Sequence, residues 1–172
     1  AWALASQQKA VHAQREKRFD GQIVPIPTLK VSWKGTRKEE TPASFVRDEL
    51  PRAETTKEGL AKLKPAFKTN GTVTAGNASP YSDGAAALIV MSADRAREMN
   101  LRPMARFITF AAAGVEPDVM GVGPLKAVPK ALKRAGMSMN DVKLIEFNEA
   151  FAAQVVAGVR DLGMPGDRVN GN

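Results

Sequence analysis

The sequence predicts an α/β protein with mixed, partly parallel sheets. Two observations support this fold class. From residue 106 to residue 162, strand-like and helix-like apolar patterns alternate, which is typical of a right-handed βαβ unit. In addition, residues 84–91 and 143–147 are short apolar runs bounded by turn residues, as buried strands are. No run reaches the ~20 apolar residues that a membrane-spanning helix needs.

The first third of the chain predicts two helices and a strand. Residues 2–18 form the first helix, with basic residues gathered toward its C-terminal end. Apolar and polar residues alternate over residues 29–34, which predicts a half-buried strand. The charged stretch from residue 34 to residue 51 predicts an irregular surface excursion. Thr55 is the expected cap of the second helix, with Glu58 completing a capping box.

The remaining elements are marked by caps and breakers. Ser92 is expected to cap a helix over residues 93–100. Pro124 suits the first position of the next helix, which Gly136 ends. Strands are expected at residues 84–91 and 106–113. A last helix follows Phe151, with its apolar positions at helical spacing: Ala152, Val155, Val156, Val159 and Leu162.

Composition limits the function classes. The chain carries 25 Lys and Arg against 18 Asp and Glu, for a formal charge of +7. These charges are spread among helices and loops without the clustered stripe that nucleic-acid binding requires, so no nucleic-acid partner is predicted. There is no Cys, which excludes disulfides and thiolate metal sites, and no metal site is predicted. The single histidine, His12, has no ligand or triad partner at suitable spacing.

The turn at Asn148 is the best candidate for a functional site. It follows the expected strand at residues 143–147, and the carboxyl ends of strands are where open α/β sheets build ligand sites. Two roles fit its side chain. Asn148 could cap the following helix by accepting a backbone N–H. Its amide could instead donate to a water or an oxyanion.

Several segments in register resemble the thiolase family, whose members cleave or form 3-ketoacyl-CoA by acyl transfer. Residues 148–152 (Asn-Glu-Ala-Phe-Ala) match the Asn-Glu-Ala-Phe segment of that family. Residues 72–79 with 83–87 resemble a second thiolase segment, and residues 113–117 with 120–124 a third. Residues 50–52 and 63–67 fit the stretch before the second. The resemblance therefore covers nearly the whole chain and implies part of the layered αβαβα thiolase fold.

The resemblance also implies roles for individual residues. Asn148 would be catalytic, holding a water that donates to the oxyanion formed during acyl transfer, and Glu149 would support it. Phe151 would line the substrate channel. Four further residues would contact coenzyme A, which is a substrate, so no separate cofactor is implied; they are Arg52 at the phosphate end and Phe67, Ala75 and Ser79 along the pantetheine arm. For Phe67 a plug in the core is the alternative, and for the 75–79 loop an ordinary turn.

A thiolase also needs a nucleophilic Cys, a Gly-His-Pro segment and a second Cys, none of which this sequence contains. The chain is therefore expected to be the central part of a thiolase and to be inactive alone. Residues 1–81 would end the loop domain that covers coenzyme A. Residues 82–101 would return to the N-terminal half, and residues 102–172 would begin the C-terminal half. The alternative is a non-catalytic thiolase-like protein that binds acyl-CoA or lipid, or mediates oligomerisation.

The family likeness extends to partners and location. It implies acyl-CoA and coenzyme A as ligands and a homodimer or homotetramer as the assembly. It implies a cytoplasmic location in a bacterium and a mitochondrial or peroxisomal one in a eukaryote.

Overall fold

The computed structural model describes residues 1–171, which divide into two compact units, Ala1–Lys64 and Pro65–Gly171. Each unit is described by itself. The predicted domain boundaries after residues 81 and 101 stay a prediction. No helix among residues 1–171 is both long and apolar enough to cross a bilayer.

The first unit contains two helices and a β-hairpin. Helix α1 spans Trp2–Arg15, three residues shorter than predicted, and Lys17 beyond it has a left-handed backbone with φ +56°. Strands β1 (Ile26–Lys34) and β2 (Arg37–Phe45) pair antiparallel from Ile26↔Phe45 to Lys34↔Arg37. Helix α2 spans Lys57–Ala61.

Three expectations for this unit are wrong. Residues 37–45 form a strand where an irregular excursion was predicted, because the two-residue connection holds Gly35 at φ +61° and reverses the chain tightly. The ion pairs Lys34–Glu39 and Lys38–Glu40 join charged residues within the segment that was predicted to be irregular. Strand β1 forms, but all of it is exposed rather than half-buried. Thr56, not Thr55, caps α2, its Oγ1 accepting from the Gly59 amide at 3.0 Å.

The second unit is built mainly from three helices. Helix α3 spans Ala93–Glu98 and begins at Ser92, whose hydroxyl accepts from the Arg95 amide as predicted. Helix α4 spans Gly123–Ala135 and ends at Gly136, which has φ +65°, also as predicted. Helix α5 spans Ala152–Asp161. Short 3-10 turns lie at Pro117–Val122, Met139–Asp141 and Gly166–Arg168.

A small apolar core fixes α5 in the second unit. Its most buried members are Phe147, Val155, Met164 and Val169. The Phe147 ring packs directly on Gly158 of α5: a methyl group added at Gly158 would lie 2.7 Å from the ring Cζ. The absence of a side chain at Gly158 therefore lets α5 approach the residues just before Asn148.

The predicted strands of this unit do not form as predicted. Residues 84–91 and 106–113 contain no strand and are largely exposed, with Ile89 at 88% exposure. A strand requires a neighbour for its backbone groups, and the described residues pair no other segment with these two. Of residues 143–147, only Ile145 is paired, in a parallel bridge with Val169. Parallel pairing is thus limited to one bridge, and the predicted βαβ sheet is wrong for residues 106–162.

Candidate functional site

The candidate site centres on residues 145–151, called here the Asn148 segment. Its first residue pairs with the end of the described chain: the Ile145 amide donates to the Arg168 carbonyl at 2.9 Å, and the Asn170 amide donates to the Ile145 carbonyl at 2.8 Å. Val169, between these two partners, is 1% exposed. The segment therefore begins from a buried and fully paired anchor.

The side chain of Asn170 holds the middle of the Asn148 segment. Its Oδ1 accepts from the Phe147 amide at 2.6 Å. Its Nδ2 donates to the Phe147 carbonyl at 2.9 Å and to the Glu149 carboxylate at 2.8 Å. No sequence pattern assigned Asn170 a role in the site. The available signal was an Asn directly before a Gly, which favours a turn with a left-handed residue, and Asn170 has φ +48°.

Residues 77–79 hold the other side of the segment. The Ser79 hydroxyl donates to the Glu149 carbonyl at 2.6 Å, and the Ser79 amide donates to the Ala150 carbonyl at 2.9 Å. Ala78 and Phe151 form an antiparallel bridge. The Ala152 amide, at the start of α5, donates to the Asn77 carbonyl at 2.9 Å. Ser79 therefore lies beside Glu149 although the two are 70 positions apart in sequence.

Asn148 itself does not cap α5. The cap position is Phe151, with no side-chain hydrogen bond, and a backbone carbonyl supplies the acceptor for Ala152. The capping role is therefore wrong. Asn148 is exposed, and among residues 1–171 its amide makes no hydrogen bond. It lies on a mostly apolar groove of about 260 Å³ between α4 and the Asn148 segment.

Phe67 and Phe151 form an aromatic pair next to this segment. Their ring centroids are 6.0 Å apart and the planes meet at 81°, an edge-to-face arrangement. Phe67 lies outside any helix or strand and is 76% exposed. The alternative of Phe67 as a core plug is therefore wrong, because most of the side chain is exposed.

Ala75 lies exposed in a loop with a defined shape. The Asn77 Oδ1 accepts from the Thr74 amide at 2.9 Å, and its Nδ2 donates to the Thr72 carbonyl at 2.9 Å. The Thr74 hydroxyl accepts from the Gly76 amide at 3.2 Å. These bonds are those of an ordinary polar turn, and the same turn presents the Asn77 carbonyl to α5.

Arg52 and His12 belong to the first unit. The Arg52 amide donates to the Gln7 Oε1 at 2.7 Å, and its carbonyl accepts from the Thr55 hydroxyl at 2.9 Å, while the residue stays exposed. His12 is exposed on α1. Within residues 1–171 no group of three or more His, Cys, Asp or Glu is placed to hold a metal ion.

The arrangement suits binding more than covalent catalysis. An uncommitted amide at Asn148 can hold a water through one donor or acceptor and keep another for a ligand. Its backbone neighbours are fixed on both sides by side-chain hydrogen bonds, so its position is set before any ligand arrives. The sequence offers no thiol nucleophile to accompany it.

Two family descriptions match the chain. Residues 1–94 match the thiolase N-terminal domain, and residues 101–172 match the thiolase C-terminal domain. Among curated proteins, an acetyl-CoA acetyltransferase of Pseudomonas aeruginosa is 51% identical over 172 residues, covering 100% of this chain and 42% of the relative. The peroxisomal 3-ketoacyl-CoA thiolase B of Rattus norvegicus is 48% identical over 170 residues, covering 99% of this chain and 39% of the relative.

Solved structures give the same answer for the fold. The acetyl-CoA acetyltransferase of Bacillus anthracis superposes with a TM-score of 0.88 at 43% identity, over 98% of this chain and 41% of that one. Human mitochondrial 3-ketoacyl-CoA thiolase in complex with CoA gives a TM-score of 0.85 at 40% identity, over 98% of this chain and 40% of that one. The predicted α/β class is confirmed, and the chain spans about two-fifths of the length of these relatives.

Proposed function

Because the chain belongs to the thiolase family, we propose that it supplies part of the active site for acyl transfer between 3-ketoacyl-CoA and coenzyme A. Its 172 residues cover 39% and 42% of two thiolase relatives, which supports a role as the central part of a longer enzyme. The cysteine nucleophile, the histidine that activates it and the second cysteine would come from outside these residues.

The observation that carries this proposal is the side-chain amide of Asn148, which makes no hydrogen bond among residues 1–171, on a fixed backbone. In the transition state of acyl transfer, negative charge develops on the thioester or enolate oxygen and must meet preorganised donors. Asn148 would hold a water that donates to this oxygen. The Glu149 carboxylate accepts a hydrogen bond from the Asn170 side chain. This bond would hold the Glu149 side chain and the adjacent backbone in place.

The contacts around Ser79 support a channel for the pantetheine arm. Ser79 lies against the Asn148 segment, and Phe67 packs on Phe151 beside it. These residues, together with the exposed small residue Ala75, would line a narrow path for a thin ligand. The Ser79 hydroxyl donates to Glu149, so its oxygen would act toward coenzyme A as an acceptor.

Arg52 would bind the phosphate end of coenzyme A, where a guanidinium pairs with phosphate. The Arg52→Ala variant of the full-length gene product should raise the KM for coenzyme A more than it lowers kcat. Arg47→Ala, a nearby exposed arginine, is the control. Steady-state thiolysis of acetoacetyl-CoA at varied coenzyme A separates the two constants. An unchanged KM would leave Arg52 as a surface charge.

The remaining proposals concern domains and assembly. Residues 1–81 would complete a domain that covers coenzyme A, residues 82–101 would belong to the N-terminal half, and residues 102–172 to the C-terminal half. The complete enzyme would be a homodimer or homotetramer, which sedimentation or mass photometry of the full-length product tests.

Intact mass and thiolysis of the gene product test the function itself. We expect a mass more than twice the 18.4 kDa of this chain and turnover of acetoacetyl-CoA with coenzyme A. The isolated 172-residue chain should not exceed buffer, because no cysteine is present to form the covalent intermediate. A natural product of 18.4 kDa that binds acyl-CoA without turnover would instead favour the non-catalytic thiolase-like protein.

A further inference from the structure

We propose that Asn170 is the positioning residue that fixes Asn148 for its role in the reaction; this inference rests on the proposed function. The Asn170 side chain contacts the residue before Asn148 and the residue after it. It accepts from the Phe147 amide, donates to the Phe147 carbonyl and donates to the Glu149 carboxylate, at 2.6, 2.9 and 2.8 Å. Both amide N–H groups and the carbonyl oxygen of Asn170 are thereby used.

This arrangement substitutes for a neighbouring strand. The backbone pairing between the two segments ends at Ile145, where the Asn170 amide donates to the Ile145 carbonyl. Beyond that point the Asn170 side chain continues the pairing, meeting both the N–H and the C=O of Phe147 as a strand residue would. The backbone at Asn148 is thus held where the regular ladder stops.

The backbone of Asn170 supports this use of its side chain. Asn170 has φ +48°, a left-handed conformation that Asn tolerates better than most residues. Val169 beside it is 1% exposed, so the segment that carries Asn170 is itself anchored. Phe147 packs on Gly158 of α5, which gives the clamped residue a fixed partner on its other side.

No hydrogen bond joins the Asn170 and Asn148 side chains in the described residues, so Asn170 would act on Asn148 through Phe147 and Glu149, the residues on either side of it. Without the clamp, Phe147 and Glu149 lose three hydrogen bonds, and the Asn148 amide samples several orientations. A misplaced donor weakens transition-state stabilisation while leaving the binding of coenzyme A unchanged.

A double-mutant cycle in the full-length gene product tests the proposal. The Asn170→Gly variant removes the side chain at a position whose φ glycine accepts freely. It should lower kcat by ~10–100-fold with an unchanged KM for coenzyme A. In the Asn148→Ala background the same change should lower kcat by less than about twofold, because the donor that it positions is already gone. The Asn170→Asp variant keeps an acceptor for the Phe147 amide but loses both N–H donors, so it should lower kcat as Asn170→Gly does. It replaces the glycine variant in the cycle if that variant does not fold.

Two controls separate positioning from general destabilisation. Val155→Ala empties a buried site on α5, outside the segment that carries Asn170, so it should lower the melting temperature with kcat nearly unchanged. Asn100→Gly makes the same substitution at another left-handed asparagine, φ +53°, and should leave kcat unchanged. Full additivity of Asn170→Gly with Asn148→Ala, or an equal kcat loss in Val155→Ala, would overturn the proposal. Absence of thiolysis by the wild-type product would instead overturn the proposed function and this inference with it.

Discussion

Residues 143–147, which lead into the Asn148 segment, and residues 84–91 received the same prediction, a short buried strand, and the two differ in the structure. The Asn148 segment is paired at Ile145, clamped by Asn170 and met by Ser79. Residues 84–91 form no ladder, and their large side chains, Leu88, Ile89 and Val90, are 85–88% exposed. An apolar run therefore predicts where a strand can form, while a partner for its backbone decides whether one does.

The first prediction sharpens this contrast through hydrogen exchange. In the 172-residue chain, the amides of Ile145, Phe147 and Asn170 donate to protein acceptors and should exchange at least ~100-fold more slowly than amides of residues 84–91. Mass-spectrometric or NMR exchange measures both segments in one sample. Equal rates in the two segments would remove the distinction. If the proposed longer enzyme supplies strand neighbours for residues 84–91, their amides should be protected within it.

A second prediction compares Gly158, which packs on Phe147 of the Asn148 segment, with Gly84. Gly158→Ala should destabilise the chain by ~1–2 kcal/mol, because its methyl group would lie 2.7 Å from the Phe147 ring and the gain in helix propensity offsets only part of the cost. Gly84→Ala meets nothing within 4 Å and should cost nothing, or stabilise by up to ~1 kcal/mol. Urea unfolding of both variants checks the signs. A stable Gly158→Ala would show that the ring can move away.

The smallest expected effect is on the free energy of unfolding and concerns the 3-10 turn at Met139–Asp141. The hydroxyl and the amide of Ser138 both donate to the Asp141 carboxylate, at 2.7 and 2.8 Å, and hold the pKa of Asp141 below its usual 3.8. A lowered pKa in the folded state means stability that is present above pH 3.8 and is lost as the pH falls through the folded-state pKa. Asp141→Asn should therefore be less stable than wild type at neutral pH.

The comparison for Asp141 is a pH series of urea unfolding. The difference between wild type and Asp141→Asn should shrink as the pH falls below 3.8. Asp118→Asn, in another 3-10 turn and with no hydrogen bond to its carboxylate among residues 1–171, is the matched control and should show no such trend. If the stability difference between wild type and Asp141→Asn grew at acid pH, the charged Asp141 carboxylate would not be the stabilising form.

Local signals predicted the helices of this chain well and its sheet poorly. Ser92 and Gly136 mark real helix ends because a cap and a left-handed glycine act within a few residues. Strand pairing depends on residues far apart in sequence, so the hairpin at β1 and β2 and the open state of residues 84–91 were both missed.

The site was predicted only in part, because some of its contacts also join residues far apart in sequence. The resemblance to thiolases selected Ser79, Phe67 and Phe151, and the structure brings Ser79 and Phe67 against the Asn148 segment, of which Phe151 is a part. Asn170 was missed because its role lies in side-chain hydrogen bonds to residues 21 and 23 positions away. The roles of Ser79, Phe67 and Phe151 toward coenzyme A stay predictions.

The most direct test of the central claim is kcat for thiolysis by the full-length gene product with Asn148→Ala, measured beside its melting temperature. Asn148 is exposed and caps no helix, so the melting temperature should hardly change. Loss of a donor that orients the oxyanion water should lower kcat by ~10²–10³-fold. Unchanged turnover, with or without a fall in melting temperature, would contradict the account, because Asn148 would then have no part in the chemistry.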